Sequence, residues 1–195
     1  YGDKSPYTAL SHMRQGLISY NQGDLLAAVD SYKQGLSLTQ NKNEKRQARL
    51  AIEEIYLNEL NDPETWFEFT ETQGGIKIDD ITKDSITYNI ALSNYKDGAY
   101  AKAITQFESY LSKYRTGHYQ TEASYFIGES YVVLKNYDKA IPFYEKVSQD
   151  ENAKYYSNAL KKAALIAYNH QQDFKSALKY YEAITAIDGT PSLET

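Results

Sequence analysis

The chain has 195 residues, of which 42% are hydrophobic and 24% charged, with a formal net charge of −5 and a pI near 5.3. The length suits one domain or one repeat array, and the acidic balance argues against nucleic acid as the main partner, because phosphate binding needs a concentrated basic surface. Cysteine is absent, which excludes disulfides, thiolate metal sites and cysteine nucleophiles, and no apolar run approaches the ~20 residues of a membrane span.

Only four prolines and ten glycines interrupt the chain, so long helices are unobstructed. The 20 tyrosines point to a thin, extended fold with many half-buried positions, since tyrosine packs its ring and keeps its hydroxyl for water or a hydrogen bond. No secretory signal is visible. The chain opens on Tyr1 rather than methionine, as expected of a cut or mature form, a start that is compatible with removal of a signal or lipid anchor.

In chain order, Asp24 after Gly23 is placed to cap a helix. The basic cluster Lys42 to Arg49 is interrupted by Glu44 and reads as a solvated helix start rather than a phosphate or lipid site. Asp62 precedes Pro63, the favoured order of N-cap and first helical residue. Gly74–Gly75 is expected to end that helix, and Gly117 a later one. Between them "GGIKIDDIT" is the only stretch with strand-like alternation, at Ile76 and Ile78, and reads either as an extended lid or as a spacer. Asp79, Asp80 and Asp84 lack the glycine and terminal glutamate of a calcium loop and read as a helix start and solvated turn. Pro142, some way into a helix, is expected to bend it.

An internal period organises these signals. An aromatic, an alanine three residues later and an aromatic four after that recur as Tyr100/Ala103/Phe107, Tyr137/Ala140/Tyr144 and Phe174/Ala177/Tyr181, with the alanines 37 residues apart both times. An earlier match is Leu25/Ala28/Tyr32, two steps before the first of these, and the missing step falls near Trp66. Five units therefore fill the chain, each reading as two helices. In the fourth, residues 119–134 carry apolar residues at helical spacing, Lys135–Asn136 breaks the pattern, and a second helix from about Tyr137 to Gln149 aligns Ala140, Ile141, Tyr144 and Val147 on one face.

At these residues the chain resembles the tetratricopeptide-repeat family, whose unit is a pair of antiparallel helices. Gly128, Tyr131, Ala140 and Tyr144 match its pattern in the fourth unit, Ala91, Ala103 and Phe107 in the third, and Gly16, Ala28 and Tyr32 in the first. The fifth has Leu165 where glycine or alanine is usual, with Tyr168, Ala177 and Tyr181 matching, and the second is degenerate, with Trp66 where alanine is expected. The resemblance implies an all-α fold, a right-handed α-solenoid of about five antiparallel helix pairs. Units one and two occupy residues 1–73, an extended linker 74–82, and units three to five 83–195, in one continuous solenoid. The stretch from Phe107 to Val147 also resembles periplasmic and outer-membrane-associated bacterial repeat proteins, including Tol–Pal coordinators and multi-repeat proteins of Bacteroidetes, although Arg115 stands where that group often has proline. That likeness implies a role in the bacterial cell envelope.

The family's curved arrays line their inner, concave face with the first helix of each unit. The phasing places Tyr88, Asn89, Leu92 and Tyr95 there in unit three, Tyr125, Phe126, Glu129 and Val132 in unit four, and Ala163, Ile166 and Asn169 in unit five. An error of one residue would rotate each by ~100°. Aromatics mixed with amides and one acid suit a peptide or partner protein, and packing on the next unit is an equal alternative for any one ring. Leu92, Glu129 and Ile166 occupy a row in which chaperone-tail binders clamp a terminal carboxylate, so that activity is not expected.

No catalytic constellation rises above background. His12, His118 and His170 fall in different units without ligand spacing, and Glu53–Glu54 reads as a solvated pair. The expectation is a non-catalytic protein-binding scaffold with no cofactor and no metal. The alternative is a small-ligand or nutrient-binding helical domain of an outer-membrane lipoprotein, with a closed pocket near residues 74–82. Neither end shows an obvious polar cap, which points to neighbouring units or self-association.

Overall fold

The computed structural model describes residues 6–188, and those residues fold into helices joined by short turns, with no strand among them. Two compact units result, one ending at Ile78 and one beginning at Asp79. The first contains α1 (Pro6–Asn21), α2 (Leu25–Leu38), α3 (Lys42–Glu54, prolonged by a π turn over Ile55–Glu59) and α4 (Pro63–Gly74). The second contains α5 (Asp80–Lys96), α6 (Tyr100–Lys113), α7 (Gln120–Val133), α8 (Tyr137–Val147), α9 (Tyr156–Ile166, prolonged by a π turn over Ala167–Gln171) and α10 (Phe174–Asp188).

Within each unit, neighbours in sequence are neighbours in space. In the second unit α5 packs on α6, α6 on α7, and so on to α10. In the first unit α1 packs on α2 and α2 on α3, while α4 meets the π turn after α3. The degenerate second repeat thus keeps both of its helices and joins them through that irregular turn.

Local chemistry sets the helix ends. Asp24 accepts from the Ala27 amide at 3.2 Å, Asp62 from the Thr65 amide at 3.1 Å and Asp79 from the Thr82 amide at 2.9 Å, each satisfying an amide that the helix start leaves unpaired. Gly75 ends α4 in the left-handed conformation. Gly117 acts otherwise than as a helix end: α6 stops at Lys113, and a Cβ at Gly117 would lie 2.6 Å from the Tyr110 hydroxyl. Pro142 lies inside α8, which continues to Val147. Of the 74–82 stretch only residues 75–79 are non-helical.

A backbone device repeats where the side chains do not. The turn inside each hairpin holds one residue at positive φ: Gly23, Asn61, Gly98, Lys135 and Gln172. Beyond it, the amides of Asp24, Ala99 and Asn136 reach back to the carbonyls of Ser19, Asn94 and Tyr131 at 2.8 to 2.9 Å, the long bond of a Schellman turn. In the two hairpins with π turns the bond is one residue longer, from Asp62 to Tyr56 and from Asp173 to Ala167.

The helices close where one residue is small. Ala28, Ala103, Ala140 and Ala177 are all buried. Opposite them a ring lies against a missing or minimal side chain: a Cβ at Gly16 would meet the Tyr32 ring at 3.0 Å, and one at Gly128 the Tyr144 ring at 2.8 Å. Ala91 stands at the matching place against Phe107. Gly128→Ala is therefore expected to destabilise the chain by about 1–3 kcal/mol through overpacking, measured as a lower urea midpoint with an unchanged slope.

Candidate functional site

The first helices of the second unit, α5, α7 and α9, carry every residue of the expected binding row. Tyr88, Tyr125 and Ile166 lie in the core. Leu92, Tyr95, Phe126, Glu129 and Val132 are half-buried, and Asn89 and Asn169 are exposed. The row therefore divides along its helices into an inner set that holds hairpins together and an outer set that reaches solvent.

Aromatic contacts link these helices. Tyr88 stacks on Tyr119, and Tyr125 on Tyr155, with the same 4.2 Å centroid separation and 7° angle in both pairs. Tyr119 and Tyr155 each stand just before a first helix, so each ring ties the start of one hairpin to the first helix of the hairpin before. Phe126 sits between, 4.8 Å from Tyr95 and 5.5 Å from Tyr155. The structure thus brings Tyr95, Tyr125 and Phe126 together and adds Tyr119 and Tyr155, which the helical phase misses because they precede their helices. Their 36-residue spacing, beside the 37 residues between Tyr88 and Tyr125, is the signal that reveals them.

Glu129 is the polar centre of the row. Its Oε1 accepts from the Tyr144 hydroxyl at 2.5 Å, and its Oε2 lies 3.1 Å from Lys162 Nζ on α9. Both carboxylate oxygens are engaged, so the acid is paired within the protein. Ile166 is distant in role: it joins the core shared by α8, α9 and α10.

A second carboxylate departs from expectation. Asp84, read from sequence as part of a solvated turn, is buried. Its Oδ1 accepts from the Tyr110 hydroxyl at 2.5 Å and its Oδ2 from the His118 amide at 2.8 Å, while the Tyr119 amide donates to the Tyr110 oxygen at 3.0 Å. This network fixes the α6–α7 turn from which Tyr119 stacks. Beside it opens a cleft of about 550 Å³ lined by Asp80, Ile81, Asp84, Arg115 and His118 among others. Glu53 also departs from the solvated reading: it is half-buried, and burial, then Glu54, raises its pKa. His170 stacks on Tyr137 at 3.7 Å, His118 is exposed and His12 half-buried. No cluster of three or more metal-ligating side chains occurs among the described residues.

Burial raises the pKa of several tyrosines above the ordinary 10.0. For Tyr88 and Tyr125 burial leads, followed by the charges of Glu122 and Glu129 respectively. For Tyr110, Tyr144 and Tyr180 it is followed by hydrogen bonds to Asp84, Glu129 and Glu145. A folded-state pKa above the unfolded value means that the stabilisation is complete below pH 10 and is lost as pH rises beyond it, because only the unfolded chain ionises readily. Stability is expected to fall above about pH 10 by up to ~1.4 kcal/mol per pH unit for each such tyrosine. Thermal melts across pH 8–12, with phenolate absorbance followed alongside, test this: the buried rings should ionise together with unfolding.

Solved structures of MamA resemble the chain at low similarity. One is 21% identical, covers 89% of this chain and 94% of its own, and has a TM-score of 0.48. Another, also 21% identical, covers 93% and 92% at 0.48, and a MamA AMB-1 structure, 12% identical, covers 97% of each chain at 0.47. No curated protein matches the chain. Residues 88–154 match the family model described as tetratricopeptide repeat. Repeats of this family serve as protein-interaction scaffolds and are generally non-catalytic. The match spans the two most regular hairpins, about a third of the chain.

Proposed function

We propose that the chain is a non-catalytic scaffold that holds a peptide or partner protein on the concave face lined by α5, α7 and α9, in the bacterial cell envelope. The observation that carries the proposal is the outer part of the first-helix row. Asn89 and Asn169 are exposed, and Tyr95, Phe126 and Tyr155 are half-buried. Rings there supply area to an incoming chain, and amides hold its backbone groups. Glu129 is satisfied by Tyr144 and Lys162, so the centre of the face presents no lone charge for a terminal carboxylate or a cation. The envelope setting draws on the likeness of residues 107–147 to periplasmic repeat proteins.

Substitution of Tyr88 and Tyr125, which are buried, would unfold what it aims to probe. Asn89→Ala with Asn169→Ala is the informative pair, because both residues are exposed. Against 12-residue peptides selected from a random library on the unaltered chain, the double variant is expected to lose at least ~10-fold in affinity. Equal affinity in both proteins rejects this face as the binding site.

The second reading, a small-ligand or nutrient-binding helical domain, draws on the cleft beside Asp80 and Arg115. It predicts a rise in melting temperature with sugars or short peptides that Arg115→Ala cancels. A panel of such ligands giving no shift counts against it.

A further inference from the structure

The cleft beside the start of α5 holds charged groups of both signs that the protein itself leaves unmatched. One side is α5, which supplies Asp80 and Ile81, and the other is the turn after α6, which supplies Arg115, Thr116 and His118. Among the described residues, none hydrogen-bonds or ion-pairs with the side chain of Asp80, Arg115 or Thr116. Asp80 and Arg115 thus carry opposite charges on the two sides of the cleft with no ion pair joining them. Next to Asp80, Ile81 is 66% exposed, an apolar surface placed beside the free charges.

The frame around these groups is fixed. Asp84, buried beneath them, accepts from the Tyr110 hydroxyl and from the His118 amide, so α5 holds the turn directly. The hydroxyls of Thr87 on α5 and Tyr114 at the end of α6 lie 3.3 Å apart. The Gln120 side chain donates to the Tyr114 carbonyl. Gly117 leaves no slack, since a Cβ there would lie 2.9 Å from Asp84 Oδ1. A cleft held in place by so many contacts demands little ordering of the protein when a ligand enters.

We infer that this cleft binds a short peptide with both ends free, its ammonium at Asp80, its carboxylate at Arg115 and Thr116, and an apolar side chain on Ile81. The inference rests on the small-ligand reading and names its ligand class. A guanidinium offers a carboxylate two parallel N–H donors, and Asp80 serves the ammonium at the other end. Asp80 and Asp84 on the α5 side disfavour a polyanion, while Arg115 and Lys113 on the turn disfavour a simple cation. A neutral sugar leaves both free charges unmatched. The volume of about 550 Å³ exceeds what one amino acid fills and suits a small-ligand pocket.

Isothermal titration calorimetry with alanyl-leucine as the probe tests this, alongside its N-acetylated and C-amidated forms. The unaltered chain is expected to bind the free dipeptide and to bind each blocked form at least ~10-fold more weakly, through loss of one charge-assisted contact. Asp80→Asn is expected to erase the difference made by acetylation and keep the one made by amidation, and Arg115→Gln to do the reverse. Both side chains are exposed, so each variant without ligand is expected to melt at the temperature of the original chain. A dipeptide that does not bind overturns the inference. So do blocked forms that bind as well as the free one, or differences that neither substitution alters. Maltose separates this outcome from the fate of the small-ligand reading. Maltose binding that Arg115→Gln abolishes, without dipeptide binding, keeps that reading and removes the peptide assignment. Silence from both ligands removes both.

Discussion

The architecture depends on one close approach, an aromatic ring of a second helix set against a first-helix residue with little or no side chain. Gly16 with Tyr32 and Gly128 with Tyr144 leave no room for a Cβ without displacement of the ring. Ala91 faces Phe107 at the same place. A small residue there lets two helix backbones come near the lower end of the 8–10 Å range, and the buried alanines at 28, 103 and 140 complete the approach from the other helix. Once the pair is closed, the ring also reaches the next hairpin. Phe107 shares a core with Ala123 and Ile127 of α7, and Tyr144 with Leu160 and Ala164 of α9. One side chain thus joins the inside of a repeat to the stacking of repeats, which is why the spacing of those rings sets the spacing of the hairpins.

The abundance of tyrosine follows from the same geometry. A solenoid has no deep centre, so its rings lie one helix away from water and their hydroxyls need partners. Acids on neighbouring helices supply them: Tyr110 donates to Asp84, Tyr144 to Glu129 and Tyr180 to Glu145, with Tyr20 and Glu59 repeating the arrangement in the first unit. The pairs of Tyr110, Tyr144 and Tyr180 each convert a costly buried carboxylate or hydroxyl into a satisfied one, whereas the Tyr20 pair is exposed. Phenylalanine at Tyr110 or Tyr144 would bury similar area and leave an acid oxygen without its donor. The proposed binding face is consequently rich in rings, with Glu129 paired to Tyr144 and Lys162.

The fold was legible because its determinants are local and periodic. Ala103, Ala140 and Ala177 with their flanking rings lie within eight residues of one another in each repeat, and their recurrence at 37 residues needed no knowledge of tertiary contacts. The face was less legible. First-helix residues both fill the core and reach solvent, and an angular phase alone does not separate Tyr88, which is buried, from Asn89, which is exposed, one position apart. Asp84 escaped because its partners Tyr110 and His118 are 26 and 34 residues away. Lys162 escaped because its role exists only through Glu129, 33 residues earlier. Among the turn residues, Gly23 and Gly98 advertise the left-handed conformation, but Asn61, Lys135 and Gln172 adopt it without the residue that usually signals it.

Those non-glycine turns show how the constraint is distributed along the chain. A left-handed residue with a side chain costs roughly 1–2 kcal/mol, yet the turn recurs in all five hairpins, so packing on either side must impose it. Where the approach is tight, at Gly128 and Tyr144, the imposed turn is a regular Schellman loop. In the last hairpin Leu165 replaces the small residue, and a π turn at Ala167–Gln171 lengthens the first helix before the left-handed Gln172 closes it. The second hairpin shows the same pairing of an irregular contact, at Trp66, with a π turn at Ile55–Glu59. Seven residues separate the small position from the left-handed residue in both cases, Gly128 to Lys135 and Leu165 to Gln172, so the π turn changes the hydrogen-bond spacing and leaves the step unchanged. The spacing from hairpin to hairpin is thus kept by the backbone turn where side-chain packing departs from the repeat pattern, and Leu165 and Tyr181 remain exposed there.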